Sequence, residues 1–412
     1  MADISKCPPL SRSSVQAAHN LIRSNIHLTP VLTCQTLTDI ASTPQSPEAL
    51  KGTEYEGKEP ARPKINLFFK CENLQKIGAF KARGAFHALA RLTDEELERG
   101  VVTHSSGNHA QALALAARTR GVKAHIVMPT ISTPSKIAGT KSYGADVIFS
   151  GSTSTEREAV VADVIARTGA ILVPPYDHPD IILGQGTMAL ELETQVEDLI
   201  ARNSELGARQ RIVNGAKARN GDVRHKQALH AVIAPCGGGG MLSGIAIALE
   251  GTGITVFGAE PEFEGADDAV RGLAAGKRVE SVKTLTIADG LRTPVGEIPW
   301  TIISDKKKVR GVYSVSEEQI KAAMKLVMER MKVFVEPSAV VGLAVVLYDE
   351  GFRRLVEEES GEEGWNIGVI FSGGNTTLEA IAKLFEAPEE KKERAEGILG
   401  KDGERVAENV AG

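Results

Sequence analysis

A lysine in the stretch GAFKARGAF, residues 78–86, is the first residue whose setting could do chemistry. Lys81 follows a Gly-Ala-Phe turn and precedes a short run that favours a helix. A lysine in such a place is commonly a surface residue that keeps its charged end in water. A lysine amine that is shielded from water can instead attack a carbonyl group and form a Schiff base. The neighbours of Lys81 alone leave both interpretations open.

Four consecutive glycines form a second candidate site. They are Gly237, Gly238, Gly239 and Gly240, between a predicted strand and the small-residue helix MLSGIAIALE. Backbone without side chains can turn tightly and aim several N–H groups at a phosphate. The spacing is neither GxGxxG nor GxxxxGK[ST], which disfavours a dinucleotide site and a P-loop NTPase. A tightly packed turn remains the alternative.

Two more strand–helix junctions carry Gly, Ser and Asn, in SSGNHAQ (105–111) and FSGGNTTLE (371–379). Open α/β sheets bind their ligands at such junctions. A lysine that can form a Schiff base, a glycine loop for one phosphate and these polar junctions together suggest pyridoxal phosphate.

The elements that must position these residues alternate between strand and helix. This order is typical of a mostly parallel sheet with helices on both faces. The segments 42–64 and 202–228 are polar and interrupt the alternation, so we expect an exposed loop and a solvated surface insertion. The tail 387–412 is charged and is expected to be frayed. The predicted strands are 65–72, 100–105, 123–129, 145–151, 170–177, 229–236, 253–261, 307–316 and 366–374, and the main predicted helices are 13–26, 108–121, 155–169, 186–201, 316–331 and 337–349.

The composition is that of a globular protein. A chain of 412 residues with 42% hydrophobic and 25% charged residues suggests two domains, or one large domain with an insertion. The net charge of −5 gives no support for nucleic-acid or membrane partners. The four cysteines show no CxxC spacing, so neither a disulfide framework nor a zinc site is expected. Without a signal sequence or an apolar run of about 18 residues, we expect a cytoplasmic protein.

Several motifs together resemble the fold-type II pyridoxal-phosphate enzymes. These motifs are FFKCENLQKIGAFKARGA, SSGNHAQ, GQGT, PCGGGGMLSG, GAEP, ADGLRT, EPSAVVGLA and FSGGN, and they occur in the family's order. The chain looks most similar to the branch of serine racemases, serine/threonine dehydratases and threo-3-hydroxyaspartate ammonia-lyases. The resemblance covers residues 12–385 except for the polar insertions.

The resemblance implies a tryptophan synthase β-like fold of two three-layer α/β domains with mostly parallel sheets and the cofactor in the cleft between them. The large domain would comprise 1–92 and 180–386, and a small mobile domain would comprise 93–179. It also implies a homodimer. Some relatives bind a nucleotide effector.

The resemblance assigns the cofactor contacts residue by residue. Lys81 would form the Schiff base, in a motif where Ala79 replaces a common serine. Asn108 would bind the phenolic oxygen, and the four glycines with Met241 would cradle the phosphate. Ser372 would face the ring nitrogen, and a neutral hydroxyl there makes the ring a weaker electron sink, which favours expulsion of a β-leaving group.

The resemblance also assigns acid–base and substrate residues. Ser106 would be a second proton-transfer group on the cofactor face opposite Lys81. The turn at the start of a helix, made by Ser105, Gly107, Asn108 and His109, suits a substrate carboxylate. The ring of His109 is more plausibly packed than catalytic. Arg157 corresponds to an arginine near the substrate, and a solvated helix arginine is the equal alternative.

A metal site is implied in GAEPEFEGADDAV. The family binds Mg²⁺ or Mn²⁺ through a carboxylate, a carbonyl and a carboxylate, here Glu260, Ala266 and Asp268. Two extra residues between Glu260 and the Ala-Asp-Asp run depart from the family pattern, and an acidic surface loop is the alternative.

The expected activity is dehydration (deamination) or racemisation of a small β-hydroxy amino acid, namely serine, threonine or threo-3-hydroxyaspartate. The products would be a keto acid with ammonia, or the D-amino acid. A β-replacement enzyme similar to cysteine synthase is the alternative within enzymes. A non-catalytic amino-acid sensor on the same scaffold is the alternative outside them.

Overall fold

The structure is a computed structural model that describes residues 4–105, 107–151, 153–206, 211–212 and 226–386. The described residues fall into two units, which divide after Asn375. The first unit contains both large sheets. The described part of the second unit contains the helix α15, Leu378–Phe385.

The larger sheet has six strands in the order β1-β2-β12-β9-β10-β11. Only β1 is antiparallel to its neighbour, and the other pairings are parallel. Its central strands are almost wholly buried, as expected for parallel strands covered on both faces. The strands are β1 Val31–Leu32, β2 Ile65–Cys71, β9 Ala231–Pro235, β10 Thr255–Pro261, β11 Gly311–Val315 and β12 Trp365–Phe371.

The smaller sheet has four parallel strands in the order β5-β4-β3-β6. They are β3 Val101–His104, β4 Ala124–Pro129, β5 Asp146–Ser150 and β6 Ile171–Leu172. The whole sheet lies inside the range predicted for the small domain, although movement of that range as a separate domain stays a prediction. A further antiparallel pair joins β7, Arg211–Ile212, to β8, Lys226–Gln227, within the second polar segment.

Helices cover these sheets, and one of them shows how capping residues set the bounds of a helix. Thr153 and Glu156 form a capping box at the start of α7, Ser154–Thr168, and the left-handed Gly169 ends this helix, because glycine adopts positive φ without a steric penalty. The remaining helices are α1 Arg12–Ile22, α2 Gln35–Ser42, α3 Lys81–Arg91, α4 Asp94–Glu98, α5 Asn108–Arg120, α6 Pro134–Ser142, α8 Pro179–Arg202, α9 Gly240–Ala248, α10 Asp268–Ala275, α11 Glu297–Ile303, α12 Glu317–Leu326, α13 Val341–Tyr348 and α14 Glu350–Ser360.

Packing places helices on both faces of each sheet. Helices α8 and α9 pack together, and α9 covers β9 and β10, with their apolar side chains joined in one buried cluster. Helix α13 packs against β9, β10 and β11, and α2 packs against β2. Helices α5 and α7 both cover the smaller sheet. The predicted α/β class with mostly parallel sheets is therefore confirmed.

The polar segment 42–64 is exposed over much of its length, but it is more ordered than an open loop. It contains a 3₁₀ helix, Pro47–Leu50, with Leu50 buried. The backbone N–H of Ala61 donates to the carboxylate of Glu350 at 2.7 Å. This anchor was missed from the sequence because Glu350 belongs to α14, a helix that was not predicted.

The second polar segment and the charged tail lie largely outside the described residues. Within 202–228 the structure describes 202–206, 211–212 and 226–228, and the charged tail 387–412 lies outside the described residues. Among the helices that the structure describes, none is long and apolar enough to cross a membrane.

Candidate active site

Lys81 lies at the start of α3 with its side chain partly buried. Its Nζ donates a hydrogen bond to the backbone carbonyl of Pro175, 2.7 Å away. Burial lowers the pKa of the Lys81 amine to about 8, because an ammonium ion loses hydration when it is shielded from water. Near neutral pH a larger share of this amine is therefore neutral and nucleophilic than in a surface lysine.

The turn before Lys81 is held against the end of β12. Ile77 has a φ of 61°, which is rare for a β-branched residue and indicates local strain. The N–H of Phe80, the residue before Lys81, donates to the carbonyl of Ser372 at 3.0 Å. The structure therefore brings Lys81 and Ser372, which are far apart in sequence, to the same place.

The glycine loop turns into the first residues of α9. Gly239 is left-handed with a φ of 82°, and a Cβ on Gly238 would lie 2.3 Å from the ring of Tyr176. All four glycines and Met241 are buried. The first N–H groups of a helix have no intrahelical acceptor, and they favour an anion. Larger residues would therefore change the backbone path that presents these donors.

The loop Pro175–Asp177 connects Lys81 to the glycines. Pro175 accepts the hydrogen bond of Lys81, and the backbone of Tyr176 lies against Gly240, where a Cβ would approach to 2.9 Å. The Asp177 carboxylate accepts hydrogen bonds of 2.9 and 3.0 Å from the first turn of α11. One short loop thus fixes the lysine relative to the glycine loop, a role that no motif in the sequence indicated.

A buried carboxylate orients Asn108. The Nδ2 of Asn108 donates to Glu336 Oε1 at 2.9 Å, and its Oδ1 accepts from Asn375 Nδ2 at 2.8 Å. The other oxygen of Glu336 accepts from the backbone N–H of Asn375 at 3.0 Å. Glu336 lies in the motif EPSAVVGLA, but it was given no function from the sequence. A carboxylate next to an otherwise apolar run is unusual, and this pattern could have indicated a function for Glu336.

The environment of Glu336 favours its neutral form. Burial, and secondarily the negative charge of Asp289, raise the pKa of Glu336 to about 7. Hydrogen bonds from Asn108 and Asn375 act in the opposite direction, since they stabilise the carboxylate. Glu336 therefore changes protonation close to neutral pH, directly beside the predicted cofactor ligand Asn108.

A buried cluster of charges supports the first turn of α3. Arg83, two residues after Lys81, donates to Glu72 at 2.7 and 2.8 Å and to Glu191 at 2.8 and 2.7 Å. Lys70 donates to Glu191 at 2.7 Å. The cluster balances two positive and two negative side chains, all almost fully buried. It could not be identified from the sequence, because its members come from β2, α3, α8 and the turn after β2.

The turn between β3 and α5 contains the predicted carboxylate-binding residues. The Oγ of Ser105 accepts a hydrogen bond from the N–H of Gly107 at 3.3 Å, and α5 begins at the next residue, Asn108. Ser106, the predicted second proton-transfer residue, lies outside the described residues.

His109 and Arg157 differ in their surroundings. The ring of His109 is buried, with Nε2 3.1 Å from the carbonyl of Val173. Burial lowers the pKa of His109 to about 3, so this ring is neutral and packed, as the sequence favoured. Arg157 is partly exposed and lies in the first turn of α7, which begins after the carboxyl end of β5. Ser105 follows the carboxyl end of β3 in the same parallel sheet, so both residues belong to the same edge. Burial, and secondarily the charge of Arg157, lower the pKa of His104 at the end of β3.

The predicted metal ligands are buried rather than forming an acidic surface loop. Glu260, Ala266 and Asp268 are all almost inaccessible to solvent. Asp268 Oδ2 accepts from the N–H of Val295 at 2.9 Å, whereas its Oδ1 has no hydrogen-bond partner among the described residues. Glu260 accepts 3.1 Å bonds from the first turn of α10. Burial, and then the Asp268 charge, raise the pKa of Glu260.

These residues fit pyridoxal phosphate. A lysine amine of lowered pKa, a glycine loop at a helix N-terminus and an asparagine oriented by a buried carboxylate each suit a different part of that cofactor. Backbone contacts link them, from Ser372 through Phe80 to Lys81, and from Lys81 through Pro175 to the glycine loop.

Comparison with known proteins also points to a pyridoxal-phosphate enzyme. The model of the family described as "Pyridoxal-phosphate dependent enzyme" matches residues 55–373. The serine racemase of Arabidopsis thaliana is 38% identical over 376 residues, covering 91% of this chain and 96% of that protein.

Solved structures show the same fold. The structure of maize serine racemase superposes with a TM-score of 0.72 at 35% identity, covering 95% of this chain and 99% of that chain. The serine racemase of Dictyostelium discoideum superposes with a TM-score of 0.69 at 38% identity, covering 89% of this chain and 99% of that one. A threonine deaminase from T.th. has a TM-score of 0.68 at 34% identity, with the same coverage of 89% and 99%. The chain therefore belongs to the family of pyridoxal-phosphate dependent enzymes, within the fold-type II group to which these racemases and deaminases also belong.

Proposed function

We propose that this enzyme dehydrates a small β-hydroxy amino acid to a keto acid and ammonia, and that it also racemises serine. The substrates would be serine, threonine or threo-3-hydroxyaspartate. The observation that carries the proposal is the convergence of Lys81, Asn108, Ser372 and the glycine loop in a chain that matches serine racemases over almost their whole length. The similarity to a threonine deaminase supports the dehydratase activity.

Four groups would hold the cofactor. Lys81 Nζ attaches it, the N–H groups of Gly237–Gly240 and Met241 bind its phosphate, Asn108 binds its phenolic oxygen and Ser372 faces its ring nitrogen. When bound, pyridoxal phosphate withdraws electrons from the substrate Cα. With its pKa lowered to about 8, the Lys81 amine can also accept the α-proton of an L-amino acid when it is not attached to the cofactor.

The substrate carboxylate would bind at the start of α5. The backbone N–H groups of this turn and the hydroxyl of Ser105 offer donors, and the helix N-terminus adds a favourable field. Arg157 would contribute a positive charge from the neighbouring α7. The buried ring of His109 would position the turn and would not exchange protons, because its pKa is too low.

Ser106 would supply the proton on the face opposite Lys81. This role explains how one site could give both activities, since a proton delivered to that face of Cα yields the D-isomer. Loss of the β-hydroxyl before reprotonation would instead yield the keto acid after hydrolysis.

Glu260, Ala266 and Asp268 would hold Mg²⁺ or Mn²⁺. Burial is the main cause that raises the pKa of both carboxyl groups, and Asp268 Oδ1 has no hydrogen-bond partner among the described residues. A hard cation would replace the lost hydration of these buried carboxylates. The ion would be structural and would take no part in proton transfer.

Three further features implied by the family resemblance form part of the proposal. They are a homodimer, closure of the small domain over the substrate and a nucleotide effector. The proposal also includes the cytoplasmic location that was expected from the sequence.

The substrate assignment can be tested with a panel of amino acids. L-serine, D-serine, L-threonine and threo-3-hydroxyaspartate would each be incubated with the purified enzyme, with and without Mg²⁺. Keto acid and chirality would be measured in every reaction. We expect keto acid from at least one of them and D-serine from L-serine; no turnover of any substrate would refute the assignment.

Two variants test the catalytic residues. Lys81→Ala should lose both the visible absorbance of the bound cofactor and all activity, while the control Lys76→Ala keeps both. Ser106→Ala should lose racemisation of L-serine but retain its dehydration, because only racemisation needs a proton on the second face. Full activity of Lys81→Ala, or equal loss of both activities in Ser106→Ala, would contradict the assigned roles.

A further inference from the structure

Three potential metal ligands meet at the start of α8, and none of them is Glu260 or Asp268. They are Cys7, His178 and Asp180, and their ligand atoms all lie within 4.8 Å of one another. The Cys7 thiol donates to Asp180 Oδ2 at 3.5 Å, and His178 Nδ1 lies 3.9 Å from the same oxygen. Because Cys7 is distant in sequence from the other two, spacing motifs could not reveal this cluster.

The separations fit a tetrahedral zinc ion. Bonds of about 2.3 Å to sulfur and about 2.0 Å to nitrogen or oxygen place tetrahedral ligands about 3.3–3.5 Å apart. The sulfur–oxygen separation of 3.5 Å already matches. The 3.9 Å nitrogen–oxygen separation would shorten if the imidazole turned towards the ion, and His178 Nδ1 would then release the hydrogen bond of 3.2 Å that it accepts from the backbone N–H of Asp180.

The buried carboxylate of Asp180 has an oxygen without a hydrogen-bond donor among the described residues. Its side chain is almost fully buried, yet Oδ1 accepts no hydrogen bond from any described residue. The guanidinium Nε of Arg91 lies 3.6 Å from this oxygen. The Cys7 thiol carries a proton, which it donates to Asp180 Oδ2. A metal ion would displace that proton into solvent, and its two positive charges would balance the thiolate and the carboxylate.

We propose that Cys7, His178 and Asp180 form a binding site for Zn²⁺, with water completing the coordination. A thiolate and an imidazole select zinc, whereas Mg²⁺ prefers oxygen ligands only. The site is therefore chemically distinct from the one at Glu260 and Asp268.

The location gives the site a structural consequence. Asp180 and His178 directly follow the loop Pro175–Asp177, which contacts both Lys81 and the glycine loop. Cys7 belongs to the segment before α1. A bound zinc ion would therefore tie that segment to the loop that positions the cofactor lysine.

Zinc binding can be measured on the holoenzyme in excess Mg²⁺, which occupies the oxygen-ligand site. A chromophoric chelator would compete for zinc against the wild type, Cys7→Ser and Asp180→Asn, with Cys34→Ser as the matched cysteine control. We expect one tight zinc ion per chain in the wild type and Cys34→Ser. The affinity should fall at least about tenfold in the other two variants, since they lose a ligand.

X-ray absorption of the zinc-loaded wild type gives a readout that does not depend on any variant folding. We expect a sulfur neighbour at about 2.3 Å from zinc together with nitrogen or oxygen neighbours. A spectrum with no sulfur neighbour, or unchanged zinc affinity in folded Cys7→Ser and Asp180→Asn, would overturn the proposal.

Discussion

Replacement of Arg83 by methionine tests the buried charge cluster beneath the catalytic lysine. The guanidinium donates to Glu72 and Glu191 over 2.7–2.8 Å, and with Lys70 it keeps the cluster neutral. In Arg83→Met, Lys70 alone would face two buried carboxylates and one negative charge would be uncompensated. Removing one member of a buried ion pair costs about 3–5 kcal/mol, out of a typical free energy of unfolding of about 5–15 kcal/mol.

The assay is urea denaturation followed by circular dichroism at a fixed concentration of pyridoxal phosphate. The control is Arg167→Met, which removes an exposed pair with Asp163 and should change the free energy of unfolding by less than about 1 kcal/mol. The double variant Arg83→Met with Glu72→Gln restores neutrality and should recover part of the loss.

The pH dependence gives an independent check on the same reasoning. Without Arg83, a buried carboxylate has a raised pKa in the folded state, so the folded protein binds a proton more tightly than the unfolded chain. Its stability is then lost as pH rises. The deficit of Arg83→Met should therefore shrink towards acidic pH. A deficit below about 1 kcal/mol at neutral pH would refute the assigned role.

Three further outcomes concern the site. Gly238→Ala would place a Cβ 2.3 Å from the Tyr176 ring, so pyridoxal phosphate should bind about tenfold more weakly in a titration, with partial recovery when Tyr176→Ala is added. Since burial raises the pKa of Glu336 to about 7, the free energy of unfolding of the wild type relative to Glu336→Gln should fall by about 3 kcal/mol as pH rises from about 4.5 to about 7 in urea titrations. Mg²⁺ should raise the Tm of the wild type and of Asp267→Asn in thermal scans, but not that of Asp268→Asn.

Each of these three predictions has its own contradicting result. Unchanged cofactor affinity in Gly238→Ala would show that the loop tolerates a side chain. A pH-independent difference for Glu336→Gln would show that the Glu336 carboxyl is not perturbed. A Tm increase with Mg²⁺ in Asp268→Asn would place the cation elsewhere.

Much of the architecture was accessible from local patterns. Apolar β-branched runs predicted the strands, and Glu156 in a first turn with Gly169 at the end predicted α7, because capping depends on residues that are close in sequence. Helix α14 and the anchoring of segment 42–64 to Glu350 were missed. Their residues are polar along the chain, and only packing against distant elements buries them.

The sequence by itself determined the chemical groups of the site and the elements that carry them. Residue chemistry made Lys81 and the glycine loop candidates, and the resemblance to fold-type II pyridoxal-phosphate enzymes assigned roles to them and to Asn108 and Ser372. Tertiary structure alone decided their environment. The pKa of Glu336 is raised, the carbonyl of Pro175 accepts a hydrogen bond from Lys81, and Cys7 lies beside His178 and Asp180 only in the folded chain. Each effect needs segments that are distant in sequence, because desolvation and Coulomb interactions depend on proximity in space.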